Sequence, residues 1–584
     1  MKYVLDVPYM YRAPGVRYDS GLKTSVYEGD SLPASLARFA PGPFTYGEWV
    51  QNALNGTSAR KRAAHEQFTP MEHQKTGAKA ILDAYRKGDP GLLLADTTGL
   101  GKTLSALLGV TLAARASGKK TSKVLIVCPK RVIPVWQQTI ESLAISQDYS
   151  RFLIINYEQL SRLVSPPKTQ AMRKAKKART KNRMIANHGK PKVAWDFVVF
   201  DEAHTLKNYG ASTVSLLAAN VARLNEPYQR GTTPFTVFAT ATPGSSPLNF
   251  AIMAGLFSPF LSTDRKRVTP NEWGAFLESR GFHVTEGKTG YRWASVSSFD
   301  KNSDDPQKRR AYQRAQRAVA ADQREDVRRI GRALTDPQAP FIRRKPEQLA
   351  GWPEQQLIPY PVELEQEARP IYEAAWSRFR DWMKLPGARN DPQARLVETL
   401  RYRQKASFLK AEAMAEMMVD VVEQGQQVYA ACFFSDTIEK LGQILTKRKI
   451  PWTTLTGKLS DEEATANRLA FQKGEAKVIM CSVVEGISLH AGETLPDGTK
   501  ATTAPRVSII FDVRGDPNKA VQSLGRAHRN GQNSVTYFPY FIGTVEKDDV
   551  ARFVKKYGNM MTMTGEEAGA DELAETFQDT LDDM

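Results

Sequence analysis

The stretch "GLLLADTTGLGKTLSALLGV" joins an apolar run, a glycine-rich turn and an apolar stretch of helical character over residues 91–110. Gly99 and Gly101 would let the backbone approach a phosphate group, and the free amides at the helix start would point at that anion. Lys102 would pair with the outer phosphates, and Thr103 would bind Mg²⁺. The segment therefore predicts a nucleotide-binding loop.

Two carboxylates in "FVVFDEAH" would supply the complementary chemistry, because they stand at the end of an apolar strand. Asp201 can hold Mg²⁺, and Glu202 can orient or deprotonate an attacking water. The loop and this acidic pair lie about 100 residues apart in the sequence. Together they predict the two halves of an ATPase site.

The elements that must position these residues show as short apolar runs that alternate with amphipathic stretches. One set is "GLLLAD", "KVLIVCP", "RFLIINYE", "DFVVFDEAH" and "FTVFATATP"; a later set is "QVYAACFF", "KVIMCS", "RVSIIFDV" and "VTYFPYF". Such runs are typical of parallel strands covered on both faces. The fold class is therefore α/β, with two doubly wound parallel-sheet domains over residues 65–262 and 411–560.

The other segments differ in composition. Residues 1–64 predict a small, partly β module, and residues 263–410 predict a helical, basic insertion and a linker. Residues 165–192 form an insertion in the first domain with ten Lys or Arg and no acid, which we expect to be disordered when free and to contact nucleic acid. Residues 561–584, with eight acids and no basic residue, predict a mobile acidic tail.

The formal net charge of +18 favours a polyanionic partner, although a basic surface without such a partner stays an alternative. Cys128, Cys432 and Cys481 lie too far apart for a zinc or redox motif and predict buried, reduced thiols. No apolar stretch approaches the roughly 20 residues that a membrane span requires, and the first residues do not form a signal peptide. We expect a cytoplasmic protein with no membrane partner.

The motifs "DTTGLGKT", "DEAH", "FATATP" and "QSLGRAHRNGQ" together resemble helicase superfamily two, nearest to its Swi/Snf-type DNA translocases. The resemblance covers about residues 68–545 and implies two RecA-like domains that use ATP and Mg²⁺. That group commonly has aspartate at the position of Asp96. It usually reads DEMGLGKT, so Thr97 and Thr98 are a departure from its pattern.

The resemblance also implies roles for individual residues. Catalysis is implied for Lys102, Asp201, Glu202, Arg526 and Arg529. Nucleotide contact is implied for Gln74, Asp96, Thr97, Thr98, Gly99, Leu100, Gly101, Lys102, Thr103 and Gln522. Coupling of the ATP site to DNA is implied for His204, Thr240, Thr242, Glu485 and Gly486. DNA contact is implied for Lys130, Trp136, Tyr157 and Ser482. A bridge between the domains is implied for Arg343 and Arg344.

These features favour an ATP-driven motor that moves on double-stranded DNA with little sequence specificity. A compact bacterial or phage enzyme that remodels forks or branched DNA, as HARP-type annealing helicases do, is the leading hypothesis. A strawberry-notch-like protein and an RNA helicase are alternatives within the motor class, and a nucleic-acid scaffold with a decayed ATPase is one from another class. The acidic tail is expected to bind a protein partner or to compete with DNA for basic surface.

Overall fold

The computed structural model describes part of the chain. The described residues are 2–5, 16–19, 24–28, 70–142, 150–167, 169, 178–287, 290–295, 306–345, 355–385, 392–482, 487–493, 495, 499–512, 517–527, 534–542, 544 and 546–582. The chain divides into two compact units, Met1–Ala95 with Gly101–Ile342 and Asp96–Leu100 with Arg343–Met584. Each unit contains one large parallel sheet.

Near the amino terminus, three short strands form an antiparallel sheet in the order β1-β3-β2. They are β1 (Lys2–Leu5), β2 (Val16–Asp19) and β3 (Thr24–Glu28). These strands agree with the predicted β character of this module. Residues 29–64 lie outside the described residues.

The first unit is built on a parallel sheet of order β13-β4-β10-β9-β5-β6. Its strands are β4 (Gly91–Leu94), β5 (Ser122–Cys128), β6 (Ser150–Asn156), β9 (Phe197–Asp201), β10 (Phe235–Ala239) and β13 (Phe341–Ile342). The helices around it are α1 (Glu72–Lys87), α2 (Lys102–Ala116), α3 (Ile133–Ser142), α5 (Thr213–Val221) and α6 (Ala254–Phe257). Strands β4, β9 and β10 are buried along their whole length, which explains their unbroken apolar runs.

The order of these strands assembles the site. Strands β4, β10 and β9 are neighbours and run parallel. Their carboxyl ends therefore meet at one edge of the sheet, where the glycine-rich loop follows Leu94 and the acidic pair begins at Asp201. This edge is where an α/β sheet of this kind binds its ligand.

The basic insertion is more ordered than its composition predicts. A strand pair, β7 (Val164–Ser165) with β8 (Lys190–Pro191), closes around helix α4 (Ala178–His188). The Asn220 side chain on α5 donates hydrogen bonds to the carbonyls of Ala186 and Gly189, at 3.2 and 2.8 Å, so it ties α4 to the unit. The expected disorder is thus wrong for residues 178–188, while most of residues 168–177 lie outside the described residues.

Two further segments complete the first unit beyond the predicted boundary at residue 262. One is helix α7 (Trp273–Ser279) with the hairpin β11 (Val284–Gly287) and β12 (Gly290–Trp293). The other is the 29-residue helix α8 (Pro306–Leu334), which precedes strand β13. The basic, helical character predicted for this region is present in α8.

The second unit has a parallel sheet of order β14-β19-β18-β15-β17-β16. Its strands are β14 (Gln355–Val362), β15 (Gln427–Ala431), β16 (Trp452–Leu455), β17 (Val478–Cys481), β18 (Arg506–Ile510) and β19 (Ser534–Phe541). Its helices are α9 (Arg369–Lys384), α10 (Pro392–Leu409), α11 (Ala411–Glu423), α12 (Ser435–Lys447), α13 (Asp461–Gln472), α14 (Pro517–Ala527), α15 (Glu546–Met563) and α16 (Glu567–Asp582). The doubly wound α/β class predicted for both large domains is confirmed.

Strand β14 corrects the predicted start of the second domain at residue 411. It contains Pro359 and Pro361. Proline makes a run of residues a poor candidate for a strand, because it cannot donate a hydrogen bond to the neighbouring strand. In the fold β14 lies at the edge of the sheet and pairs only with β19. At an edge the missing donors are tolerated, so the sheet of the second unit begins at Gln355.

The expected mobile acidic tail is wrong for the described residues. Helix α16 packs on α15, and its Leu573 and Phe577 side chains are buried in the core of the second unit. Phe577 meets the Phe538 ring edge-on with ring centroids 5.8 Å apart. Ala570, Leu573 and Phe577 recur at helical spacing, so the acids occupy the opposite face of an amphipathic helix.

Two other expectations concern the chain as a whole. The three cysteines are buried and free, as predicted, and burial raises the pKa of each thiol. Among the described helices, none is long and apolar enough to cross a bilayer.

Candidate active site

The glycine-rich loop connects the end of β4 to the start of α2. Gly99 and Gly101 have φ angles of 98° and 75°, a region that favours glycine because it carries no Cβ. A Cβ on Gly101 would collide with the Gln74 side-chain amide. Glycine at residue 101 therefore leaves room for the Gln74 side chain, and Lys102 follows as the first residue of α2. This arrangement fits a bound phosphate chain.

Gln74, a predicted nucleotide contact, is buried on α1. Its Oε1 accepts a hydrogen bond from the Met71 amide at 2.9 Å, which fixes the direction of the side chain. The amide nitrogen then faces Gly101, as the close approach described above shows. The structure thus places Gln74 beside the loop, and its contact with a nucleotide stays a prediction.

Asp201 is held at the end of β9 by several hydrogen bonds. Its Oδ2 accepts from Trp136 Nε1 at 2.8 Å, and its Oδ1 accepts from the Glu202 amide at 3.0 Å. The Tyr157 hydroxyl donates to the Asp201 carbonyl at 2.6 Å. Burial and the charge of Glu202 raise the pKa of Asp201 to about 6, while the Trp136 hydrogen bond and the charge of Lys102 oppose this rise. The loop cation and the strand-end carboxylate therefore act on each other.

The DNA contacts predicted for Trp136 and Tyr157 are wrong. Their side chains are only 0% and 4% exposed, and both are bound to Asp201. They position the carboxylate and cannot reach a nucleic acid. An aromatic residue with a polar tip fits a buried site as well as an interface, so the residue type alone could not distinguish the two. Lys130 is exposed and Ser482 half-buried, and their predicted DNA contacts stay predictions.

Glu202 has a φ of 51°, a conformation that costs energy in a residue with a Cβ. Its Oε2 lies 3.3 Å from His204 Nδ1, and the same nitrogen lies 3.2 Å from Thr240 Oγ1. Thr240 Oγ1 in turn accepts from the Thr242 amide at 3.1 Å. A continuous polar chain thus connects Glu202, after β9, with the residues that follow β10.

Asp96, the predicted nucleotide contact at the start of the loop, is fully buried and faces Arg344. Its Oδ1 accepts from the Arg344 amide and from Arg344 Nε, both at 2.9 Å, and its Oδ2 accepts from Arg344 Nη2. The Thr97 amide and hydroxyl both donate to the Arg344 carbonyl, at 3.2 and 2.9 Å. Both residues anchor residue 344, so direct nucleotide contact by the Asp96 carboxylate is wrong. The contacts with the Arg344 carbonyl explain the threonine at residue 97, which the family pattern alone left unexplained.

The neighbours of Arg344 extend this anchor to the carboxyl-terminal helices. Arg343 Nε binds Glu566 Oε1, and Lys345 Nζ lies 3.4 Å from Glu566 Oε2. The Thr564 hydroxyl also lies 3.3 Å from Glu566 Oε1. Glu566, which the sequence placed in a mobile tail, is instead a buried partner of this basic segment.

In the second unit, the backbone of residues 487–490 is held by three arginine side chains. Arg526 Nη1 donates to the Ile487 carbonyl at 3.1 Å, and the Arg526 carbonyl accepts from the Leu489 amide at 2.9 Å. Arg468 donates to the Ser488 carbonyl at 3.2 Å, and Arg506 donates to the Leu489 carbonyl. Burial lowers the pKa of Arg506 to about 10, and the charge of Glu493 opposes this shift.

The sequence did not lead to a predicted role for Arg468 or Arg506. For Arg506, the only signal is that a basic residue begins an apolar run. Of the residues predicted here, Gln522 and Arg526 are buried on α14. Arg529, Glu485 and Gly486 lie outside the described residues. Their predicted roles stay predictions.

Within the first unit, one sheet edge thus gathers Gly101 at positive φ, a lysine, a buried carboxylate and a second carboxylate in a strained position. Thr103 and Asp201 are the residues that could hold a metal ion. No cluster of three or more acidic, histidine or cysteine ligands occurs in the described part of the chain. A site with few protein ligands suits Mg²⁺, which keeps waters and binds substrate phosphates.

Comparison with known families matches two parts of the chain. Residues 73–228 match the SNF2-related domain, and residues 409–531 match the helicase conserved C-terminal domain. The first match contains the loop and the acidic pair, and the second contains residues 487–490 and Arg526.

Several curated proteins are similar over shorter stretches. Protein CHROMATIN REMODELING 19 of Arabidopsis thaliana is 27% identical over 25% of this chain and 21% of its own length. A probable global transactivator of Orgyia pseudotsugata multicapsid polyhedrosis virus is 33% identical over 24% of this chain and 27% of its own. The human DNA excision repair protein ERCC-6-like is 26% identical over 27% of this chain and 12% of its own. The chain therefore covers less than a third of each of these relatives.

Among solved structures, the Sulfolobus solfataricus SWI2/SNF2 ATPase core in complex with dsDNA aligns over 87% of this chain and 97% of its own, at 16% identity. The TM-score is 0.30. A likeness at this level assigns no residue and no activity.

Proposed function

We propose that this chain, which carries the SNF2-related and C-terminal domains of a superfamily-two helicase core, is an ATP-hydrolysing motor that moves along double-stranded DNA. The observation that carries the proposal is the meeting of Lys102, Asp201 and Glu202 at one edge of the first sheet, inside the residues that match the SNF2-related domain. Each has the chemistry that phosphoryl transfer to water requires.

The residues of the site have separate roles in ATP hydrolysis. The loop amides and Lys102 bind the β and γ phosphates, and Thr103 and Asp201 hold Mg²⁺. The metal, when bound, neutralises charge on the phosphates. Trp136 and Tyr157 keep the Asp201 carboxylate in place, and Glu202 orients the attacking water. The backbone conformation of Glu202 and its contact with His204 hold the Glu202 carboxylate in that orientation toward the water.

DNA is proposed as the track from charge and from the relatives. The net charge of +18 suits a phosphate backbone, and binding through phosphates carries little sequence specificity. The curated relatives include proteins named for chromatin remodelling and for DNA excision repair. We extend the proposal to remodelling of forks or branched DNA, because one of these relatives is named for DNA excision repair.

The proposal is tested by the rate of ATP hydrolysis with linear duplex, forked duplex, four-way junction, single-stranded DNA and RNA at one salt concentration. We expect duplex or forked DNA to raise the rate several-fold above the rate without nucleic acid, and RNA to raise it far less. The Glu202→Gln variant gives the background from contaminating ATPases. Equal stimulation by RNA and duplex DNA would replace the proposal with an RNA-directed helicase.

A further inference from the structure

Helix α8 is anchored through its carboxyl-terminal half. Asp326 is fully buried and accepts hydrogen bonds from Trp293 Nε1 at 2.8 Å and from the His283 amide at 3.1 Å. Val327 and Ile330 are buried on the same side. In contrast, every side chain described between residues 306 and 318 is exposed, except Tyr312, which is half-buried. The amino-terminal half therefore projects from the unit.

Five arginines follow one face of this helix, and we call them the arginine stripe. They are Arg310, Arg314, Arg317, Arg324 and Arg328, and all five are exposed. At 3.6 residues per turn they fall within an arc of about 80° and extend over about 27 Å of the helix axis. The buried residues of α8 lie on the opposite side, so the stripe faces away from the core.

Four arginines of the stripe have no acidic residue one helical turn away in the sequence. Arg310, Arg314, Arg317 and Arg324 have no Asp or Glu three or four residues away in either direction. The pairs 310–314 and 324–328 instead bring like charges to neighbouring turns, which destabilises a helix.

The three acids of α8, together with Arg329 and Arg332, have partners of their own. Asp322 lies 3.6 Å from His283 Nε2, and Glu325 pairs with Arg332 at 2.7 Å. Arg329 donates to the Arg280 and Gly281 carbonyls and lies over the Phe282 ring. None of these contacts neutralises the four arginines named above.

We propose that the arginine stripe binds the phosphate backbone of duplex DNA. Guanidinium groups bind phosphate in a bidentate geometry, and duplex DNA offers a charge every ~1.7 Å of its axis, so several phosphates lie within reach of the stripe. Bound phosphates remove the repulsion between neighbouring arginines. The proposal rests on the proposed function, because it adds a further contact with the same DNA.

The test compares the full chain with a triple variant, Arg310→Gln, Arg314→Gln and Arg317→Gln. A matched control removes the same charge at three exposed lysines, Lys120→Gln, Lys123→Gln and Lys447→Gln. Binding to a fluorescein-labelled duplex is followed by anisotropy, without nucleotide, over a range of salt concentrations. ATP hydrolysis without DNA is measured in parallel.

We expect the stripe variant to weaken duplex binding about tenfold or more at low salt and to reduce the slope of log K against log [salt] by roughly 2 to 3. The control is expected to change both far less, and basal hydrolysis is expected to stay unchanged in both variants. Tight duplex binding with an unchanged slope in the stripe variant would overturn the stripe and leave the motor proposal intact. Loss of binding to polyglutamate with unchanged duplex binding would assign the stripe to an acidic protein segment. A wild-type chain that binds no duplex would overturn both proposals.

Discussion

Replacing Lys102 with alanine is expected to lower the rate of ATP hydrolysis by about a thousandfold, the scale on which positioned cationic groups act in phosphoryl transfer. Lys102 follows the glycine-lined turn, and its charge opposes the raised pKa of Asp201. The variant therefore removes the phosphate-binding cation and, by the sign of this effect, raises the pKa of Asp201 further. Both changes weaken the site, and steady-state hydrolysis with saturating duplex measures them.

A matched control is Lys79→Ala on α1. Lys79 is exposed and forms a 3.0 Å pair with Asp83, a kind of surface ion pair that contributes little. It removes the same charge from the same unit and is expected to leave the rate unchanged. Far-UV circular dichroism shows whether both variants fold. A folded Lys102→Ala variant with more than about a tenth of the wild-type rate would contradict the assigned role of the loop.

The second large effect is a loss of folding stability, which we expect when Arg344 is replaced by alanine. Asp96 is fully buried, and the Arg344 guanidinium binds both of its carboxylate oxygens. Arg344→Ala leaves this charge without its partner, which for a buried ion pair costs about 3–5 kcal/mol in the free energy of unfolding. Thermal unfolding of the single variant should therefore occur at a clearly lower temperature.

A double variant distinguishes the loss of the ion pair from the cost of leaving a buried Asp96 charge without a partner. Asp96→Asn combined with Arg344→Ala removes the uncompensated charge, so we expect part of the lost stability to return. As a control, Arg332→Ala breaks the exposed pair with Glu325 and should cost about 0.5 kcal/mol or less. A change below about 1 kcal/mol in Arg344→Ala would show that the contact with Asp96 does not anchor the loop.

The sheets and the candidate site were predictable because their signals are local. Strands buried on both faces need continuous apolar runs, and a phosphate loop needs glycine at positive φ, as found at Gly99 and Gly101. The meeting of the loop and the acidic pair then follows from the parallel α/β class, in which functional groups gather at the carboxyl ends of the strands.

The errors came from contacts between residues far apart in the sequence. Nothing near Asp96 indicates that its partner is Arg344, 248 residues later. The indole of Trp136 could equally face solvent or a carboxylate until the position of Asp201 was known. The edge position that allows prolines in β14 depends on pairing with β19, and the packing of α16 depends on its apolar stripe meeting a core.

The proposal that ATP hydrolysis moves this chain along duplex DNA is tested most directly by triplex displacement. A labelled third strand is bound in the major groove of a linear duplex, and its release is followed after ATP is added. A duplex translocase releases the third strand only with hydrolysable ATP, leaves the two duplex strands paired, and loses this activity in Lys102→Ala. Hydrolysis of ATP with the third strand still bound, or separation of the duplex strands themselves, would contradict translocation on double-stranded DNA.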